Sequence, residues 1–389
     1  MELNERDWRW NRVRAEMRAR KIGLLIVLPE SDPTDVLYLA GEIGAVLFPL
    51  EKDPTIVLGG ENTAVANGGA AWIADRQPAL VHASNKIPYG AVLAERLRRN
   101  CYGPGRVALA GMKGNEYSHV RSAEGYLLYT SAMEILEALG YTEVVDGAPV
   151  MAAARHVKSE TQIDALRAAV AVAESGARAI GEAFAVRAEQ ADAYRAGMTA
   201  MMRPGLALPT LAWCPGTWGH PRPRLVGVPS GAIEAGLCVA AEIILPVAGG
   251  MAQIAEPYVA GTINAEQHAE FELNIAAFEV ACKTMVPGTP WREVRRAVSN
   301  VAAGTGYTLA LLLHGGWDGP LFLPNEVPGE VLDDPVQGGA VFICKPTAWP
   351  AATGAFNARS HDASWGDMVV VRDNGAERLG TRAPQLVAY

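Results

Sequence analysis

The pattern of apolar and polar positions predicts two halves that are built differently. In the first half, residues 4–21 place large apolar residues at helical spacing among charged ones, which predicts an amphipathic opening helix. Short apolar runs ending at glycine or turn residues predict buried strands at 22–30, 36–42, 55–61 and 106–112. Helical patterns lie between them, at 90–100 and 115–140. Alternating strands and helices predict an α/β domain with a mixed or parallel sheet.

The pattern changes near residue 150. Residues 154–185 predict one long helix, with Ser159 as its N-cap, and further helix continues to about residue 202. Short strands and Gly/Pro turns follow, interrupted by a helical block at 264–305. This half predicts an α+β domain with helices outside a curved antiparallel sheet. The predicted domains are residues 1–152 and 153–389.

Composition excludes several classes of partner. The 389 residues are half hydrophobic and carry a net charge of −8, and their basic runs are no longer than "RLRRN" at 96–100. Nucleic acid and anionic membranes are therefore not expected partners. The first residues are charged, and no apolar run reaches about 18 residues, so neither export nor a membrane span is predicted. Five cysteines without CxxC spacing predict a reduced, cytoplasmic protein without a Cys-ligated zinc site.

One carboxylate stands out in residues 240–261, which predict two apolar strands around Gly249 and Gly250. Apart from Glu242, the only ionisable residue of this hairpin is Glu256. A carboxylate in an apolar segment is costly unless it is paired, protonated or functional. Glu256 is therefore a candidate catalytic group.

Other candidates lie in four loop-rich segments, 213–224, 311–320, 341–350 and 358–371. Their possible acid, base or charge-stabilising groups are His220, His314 and Lys345. Their possible substrate-binding groups are Trp213, Trp218, Arg222, Arg224, Trp317, Trp349, Arg359, His361 and Asp362. The tryptophans, with Trp365, fit either an aromatic-lined small-molecule pocket or ordinary core packing. A GxGxxG loop, a Walker A loop, a GxSxG elbow and an HExxH pair are all missing from the sequence.

Several motifs, in order, resemble those of the creatinase, aminopeptidase P, prolidase and methionine aminopeptidase superfamily. The six motifs lie at residues 35–47, 155–169, 285–294, 319–328, 342–346 and 367–379, and the match covers nearly the whole chain. The resemblance implies a creatinase-type α/β N-terminal domain followed by an α+β pita-bread domain with a curved antiparallel sheet. It also implies a homodimer in which the N-terminal domain, through residues 42–52, contributes to the partner's active site.

The metallopeptidases of this superfamily bind two divalent ions through two Asp, one His and two Glu. In the alignment that takes Gly250 as the glycine of the hairpin motif, Ile243 and Ile254 stand at the Asp positions. Lys345 and Gly366 stand at the Glu positions, and only His314 matches a ligand. Apolar side chains cannot bind a hard cation and an ammonium repels one, so neither a metal nor another cofactor is expected.

The resemblance then points to the metal-free branch, which includes creatinase and ectoine hydrolase. In the same alignment, Glu256 matches the creatinase glutamate and His220 matches the histidine that contacts substrate and transfers protons. Lys345 replaces the carboxylate with which creatinase binds its guanidinium, so creatine is not the expected substrate. A cation at this position would favour an anionic or carbonyl group, or pair with Glu256 or Asp362.

Three hypotheses follow for a small-molecule substrate. The first is a metal-independent hydrolase that cleaves a C–N bond, in an amide, amidine or related group of a partly planar or aromatic molecule. His220 would transfer protons, Glu256 would orient or attack the scissile group, and Lys345 and His314 would stabilise negative charge. The second is a metal-free lyase acting on a C–S, C–O or C–C bond. The third is a non-catalytic pseudopeptidase that acts as a binding module.

Overall fold

The structure, a computed structural model, describes most of the chain. The described residues are 3–29, 34–58, 72–78, 89–99, 106–110, 129–140, 143–203, 208–217, 225–247, 250–315, 318–322, 332–353 and 365–389. Cα packing divides the chain into two compact units, one built mainly on Met1–Ser159 and the other on Glu160–Val247, Met251–Gly316 and Pro320–Tyr389. The sequence-based boundary after residue 152 falls inside a helix of the first unit.

The first unit is an α/β domain around one mixed sheet. Its helices are α1 (Leu3–Ala19), α2 (Thr34–Ala40), α3 (Tyr89–Arg99), α4 (Tyr129–Ala138) and α5 (Ala148–His156). Its strands are β1 (Ile22–Val27), β2 (Ala45–Pro49), β3 (Thr55–Leu58), β4 (Asp75–Pro78), β5 (Arg106–Ala110) and β6 (Val144–Asp146), in the order β4-β3-β2-β1-β5-β6. β1 pairs antiparallel with β2 and parallel with β5. Every residue of β1 is buried, as expected for a strand covered on both faces.

One predicted strand of this unit is wrong. The run at 36–42 forms most of α2, and Val36, Leu39 and Ala40 are buried at helical spacing. The nearby Trp10 Nε1 donates a 2.8 Å hydrogen bond to the carbonyl oxygen of Leu39. An apolar run of seven residues is compatible with either a short helix or a strand, and the packing of the folded chain decides which one forms.

The second unit begins with α6 (Glu160–Ala183) and α7 (Gln190–Met201) and later adds α8 (Ala265–Thr284) and α9 (Trp291–Asn300). Its strands are β7 (Thr210–Thr217), β8 (Leu225–Val226), β9 (Leu237–Val247), β10 (Gly250–Val259), β11 (Tyr307–Ala310), β12 (Leu313–Gly315), β13 (Asp318–Phe322), β14 (Val341–Cys344), β15 (Thr347–Pro350), β16 (Asp367–Arg372) and β17 (Gly375–Arg378). A 3-10 turn spans Ala351–Thr353.

The single helix predicted at 154–185 is two helices. α5 ends at His156, and Val157 has an extended backbone conformation with φ −89° and ψ 131°. α6 then starts at Glu160. A β-branched residue and a serine between the two helical segments explain the break, since both residue types are poor helix formers.

Two sheets of the second unit meet at one point. One has the order β10-β9-β7-β8 and the other β13-β12-β14-β16-β17, while β11 and β15 form a separate pair. Ala255 of β10 and Gly366, just before β16, form an antiparallel bridge with reciprocal N–H···O bonds of 3.0 and 3.1 Å. This bridge joins the two sheets.

Helices pack against both sheets of this unit. The Tyr258 hydroxyl of β10 donates to the Ala177 carbonyl of α6, 2.9 Å away. Phe278 of α8 packs edge-on against Trp365, with ring centroids 5.2 Å apart, and Trp291 of α9 packs against Phe342 of β14. The helices therefore enclose a layer of antiparallel strands. In the described part of the chain, none of the helices is long and apolar enough to span a bilayer.

Candidate active site

Lys345 directly follows β14 and is buried, with 1% of its surface exposed. Its backbone N–H donates to the Leu312 carbonyl, 2.9 Å away. Its Nζ forms a hydrogen-bonded ion pair with Oε1 of Glu242 on β9. A charge removed from water needs a partner of this kind, because an isolated buried charge is strongly unfavourable. The pair therefore fixes both side chains toward each other.

His314, Lys345 and Gly366 lie on one face of their sheet. His314 of β12 is opposite Ile343 of β14, and Ile343 is opposite Met368 of β16. A Cβ placed on Gly366 would lie 2.5 Å from the Cβ of Lys345. Since residues two apart in a strand share a face, these three positions point the same way. We call this surface the Lys345 face.

The hairpin of β9 and β10 also contributes to the Lys345 face. Ala255 is bridged to Gly366 and so shares its face, which places Gln253 there as well, two residues earlier. Glu242 lies on this face because it pairs with Lys345. Ile254 and Glu256 alternate to the opposite face, and Ile243 does the same relative to Glu242. Glu242, Gln253, His314, Lys345 and Gly366 therefore converge.

Comparison with known proteins now identifies the family. Residues 151–373, more than half of the chain, match the model of metallopeptidase family M24. The chain belongs to this family. A comparison with curated protein sequences returns no significant match.

Solved structures of a prolidase and of dipeptidases share the fold over nearly the full length of this chain. The prolidase from Pyrococcus horikoshii OT3 is 16% identical, with a TM-score of 0.70 over 97% of this chain and 99% of that one. The dipeptidase PepE from Mycobacterium ulcerans is 18% identical, with a TM-score of 0.69 over 100% and 99%. The Xaa-Pro dipeptidase from Bacillus anthracis is 14% identical, with a TM-score of 0.71 over 99% and 100%. The predicted superfamily and its pita-bread fold are confirmed.

The Lys345 face corrects the alignment of the M24 ligand positions. Ligands of one metal centre must converge, yet Ile243 and Ile254 point away from Lys345 and His314. Moving both Asp positions back by one residue gives Glu242 and Gln253 and keeps the interval between them. Gly249 then becomes the reference glycine in place of Gly250. The two adjacent glycines permit this shift by one residue.

The five residues at the corrected positions do not fit two divalent cations. Glu242 and His314 offer suitable donor atoms, but the ammonium of Lys345 stands where a carboxylate is needed and already holds Glu242. Gly366 offers no side chain, and a Cβ there would also come within 2.9 Å of the Cys344 carbonyl oxygen. Over the described residues, no group of three or more His, Cys, Asp or Glu side chains could hold a metal ion.

Glu256 belongs to a different cluster. Its Oε2 accepts a 2.8 Å hydrogen bond from Nε of Arg382, whose Nη1 is 3.1 Å from Oδ2 of Asp367. Burial raises the pKa of Glu256 above its ordinary value, although Arg382 opposes the shift. Of the two partners considered for Lys345, Glu256 does not pair with it, because Lys345 pairs with Glu242, and Asp362 lies outside the described residues. Glu256 points away from the candidate active site.

Two of the predicted site tryptophans, Trp213 and Trp349, are described by the structure, and both lie in the core. Trp213 is fully buried, its Nε1 donates to Oε1 of Gln190 at 3.0 Å, and its ring packs on Phe184 and Tyr194. This placement favours packing over the predicted substrate contact, since its polar atom and both neighbouring rings are internal. Trp349 of β15 is also buried, with 6% exposed. The other predicted site residues lie outside the described residues: His220, Trp218, Arg222, Arg224, Trp317, Arg359, His361 and Asp362.

Proposed function

We propose that this M24 chain is a metal-independent hydrolase that cleaves the C–N bond of a small amide or related carbonyl compound. The observation that carries the proposal is the buried pair of Glu242 and Lys345 on the same face as His314. A carboxylate remains at the first Asp position, and an internal ammonium takes a Glu position. The chain thus supplies a base and a cation where relatives named as peptidases have their ligands.

Hydrolysis of an amide requires a deprotonated water, stabilisation of the developing oxyanion and a proton for the leaving nitrogen. Glu242 can accept the proton of water, and its side chain retains 12% exposure, which leaves it reachable by solvent. Lys345 carries three donors, of which Glu242 uses one, so an oxyanion can receive another. His314 lies on the same face and would add a second donor.

His220 remains the proposed donor of a proton to the leaving nitrogen, a step for which histidine is the commonest group. Glu242 takes the role expected of Glu256, because Glu242 pairs with Lys345 whereas Glu256 pairs with Arg382. This change also alters the expected substrate. Since Glu242 neutralises Lys345, the pair favours a neutral carbonyl group over an anionic one.

The test is hydrolysis by metal-stripped protein in ¹⁸O-labelled water. A panel of small amides, cyclic amides, amidines and dipeptides is incubated with EDTA-treated protein, and products are read by mass spectrometry. We expect one labelled oxygen in the acid product, no effect of EDTA, and loss of turnover in Glu242→Gln and Lys345→Met. Glu160→Gln, in an exposed pair with Arg372, serves as the control.

Three outcomes would contradict the proposal. Turnover that appears only after adding Mn²⁺ or Zn²⁺ would overturn metal independence. A product without label would point to the lyase hypothesis. A folded protein that binds compounds of the panel and converts none of them would instead support the binding module.

A further inference from the structure

Arg382, which follows β17 by four residues, meets acceptors on two separate strands. Its guanidinium also lies over the ring of Trp365, with 4.6 Å between Cζ and the ring centroid. Beyond Glu256 and Asp367, its Nη2 donates to two backbone carbonyl oxygens, those of Ala255 at 3.0 Å and Gly366 at 2.5 Å. Arginine suits this role because its planar guanidinium directs several N–H donors in fixed directions, so that one side chain can bind several acceptors at once.

The two carbonyls belong to the residues that join the two sheets. Ala255 and Gly366 already exchange N–H···O bonds of 3.0 and 3.1 Å. Each carbonyl oxygen therefore accepts one backbone N–H and one N–H of Arg382. Gly366 also packs against Lys345, since a Cβ on it would lie 2.5 Å from the Lys345 Cβ. Arg382 thus acts on the bridge from the side opposite to Lys345.

The backbone of Arg382 is itself fixed to α6. Glu174 accepts the backbone N–H groups of Thr381 at 2.6 Å and Arg382 at 2.9 Å, and its other oxygen accepts the Thr381 hydroxyl at 2.9 Å. Burial opposes ionisation of Glu174, but these hydrogen bonds hold its pKa below the usual value. The charged carboxylate therefore anchors the segment that carries the guanidinium.

We propose that Arg382 is a positioning residue for the candidate active site: by binding the carbonyls of Ala255 and Gly366 together, it sets the β10–β16 bridge and thereby the approach of Lys345 to Glu242. Glu256 and Asp367 form the anionic seat that holds the guanidinium. The expected effect of Arg382 on catalysis rests on the proposed function, whereas its expected effect on the bridge does not. Glu256, the acid singled out in the sequence, thus acts through Arg382 and away from substrate.

Arg378 provides a matched control. Its Nε donates to Oδ2 of Asp367 at 2.6 Å, and its Cζ lies 4.8 Å from the centroid of Trp365. It shares the acidic partner and the aromatic ring with Arg382, its Nη2 donates to the Arg382 carbonyl oxygen, and among the described residues it makes no hydrogen bond to either bridge carbonyl. Arg378→Met therefore removes a comparable charge, a stacking contact and one hydrogen bond to the Arg382 backbone, which Glu174 still holds, whereas Arg382→Met also releases the bridge.

The experiment compares Arg382→Met, Arg382→Lys and Arg378→Met in the full chain. Amide hydrogen exchange at Ala255 and Gly366 should accelerate by about tenfold or more in Arg382→Met and stay unchanged in Arg378→Met, because exchange reports local opening. The ¹⁵Nζ resonance of Lys345, assigned with Lys345→Met, should shift only in the Arg382 variants. With a panel substrate, kcat should fall about a hundredfold at nearly constant KM, as expected when catalytic groups are displaced.

Arg382→Lys distinguishes positioning from simple charge balance. Lysine can neutralise Glu256 but cannot bind both carbonyls, so stability should recover while the exchange rate stays high and the Lys345 resonance stays shifted. If Arg382→Met does not fold, Arg382→Lys alone carries the test. Wild-type exchange and an unshifted Lys345 resonance in Arg382→Lys, or equal effects in Arg378→Met, would overturn the proposal. If no compound is hydrolysed, the proposed function fails, yet the exchange and resonance measurements still decide the role of Arg382.

Discussion

The ion pair of Lys345 and Glu242 can be tested by a double-mutant cycle. Lys345→Met removes the ammonium and keeps the length of the side chain, and Glu242→Gln removes the charge of its partner at nearly constant volume. The two side chains are 2% and 12% exposed, so water can compensate little in either single variant. Each single variant is therefore expected to be clearly destabilised.

The magnitude follows from what each variant leaves behind. Breaking a buried ion pair by removing one partner typically costs about 3–5 kcal/mol, because the remaining charge is still out of water. Lys345→Met should fall near the lower end, since Glu242 keeps some exposure, and Glu242→Gln should cost more, since Lys345 has almost none. The double variant leaves no charge, and replacing a whole buried pair is often close to neutral. The coupling free energy, which is the sum of the two single costs minus the cost of the double variant, should therefore reach about 6 kcal/mol or more.

The assay is urea unfolding at pH 7 with EDTA, followed by circular dichroism and tryptophan fluorescence; coinciding transitions would justify a two-state treatment. Arg372→Met serves as a surface control, because Arg372 pairs with Glu160, which is 71% exposed, and such pairs contribute less than about 1 kcal/mol. If Lys345→Met is as mild as this control, or if the two single effects add in the double variant, the charges do not depend on each other and the proposed active site loses its basis.

Four further predictions concern the metal, the bridge, pH and assembly. Lys345→Glu combined with Gln253→Asp should bind Mn²⁺ in calorimetry, whereas Lys345→Glu with Ile254→Asp should not, because only the first pair of carboxylates converges with Glu242. Gly366→Ala should lower the free energy of unfolding by about 1–3 kcal/mol in urea titrations, because its Cβ would overlap Lys345. Burial raises the pKa of Glu256, so its contribution to stability is present below the usual 4.5 and is lost as pH rises through the raised value; Glu256→Gln should flatten stability measured from pH 4.5 to 7. Analytical ultracentrifugation should give twice the 41.3 kDa chain mass if the proposed homodimer forms.

Periodicity predicted the architecture well where runs were long or clearly punctuated. The opening helix, β1, β3, β5 and the helical block that became α8 and α9 all appear where expected. It failed at 36–42, because a seven-residue apolar run satisfies both the helical and the strand period. The contacts that select the helix come from residues elsewhere in the chain. It also failed to see the break between α5 and α6, where two weak helix formers interrupt an otherwise continuous pattern.

The candidate site was harder to predict because its decisive contact is long-range. Lys345 and His314 are visible in the sequence as polar residues at strand ends, and both lie on the Lys345 face. Their partner Glu242 is 103 residues from Lys345 and is flanked by alanine and isoleucine, so local pattern gives it no distinction. Only pairing of separate strands brings the two charges together.

A one-residue choice of register then decides the chemistry. Every side chain of a strand changes face when the alignment slips by one residue, and the adjacent Gly249 and Gly250 permit two alignments of the motif. With Gly250, both Asp positions become isoleucine and Glu256 becomes the catalytic acid. With Gly249, which the Ala255–Gly366 bridge and the Lys345–Glu242 pair support, a carboxylate survives at the first position and the positive charge opposite it comes from Lys345. On this register the site keeps an anion facing a cation, as a metal centre does, but both charges belong to the chain and neither depends on a bound ion.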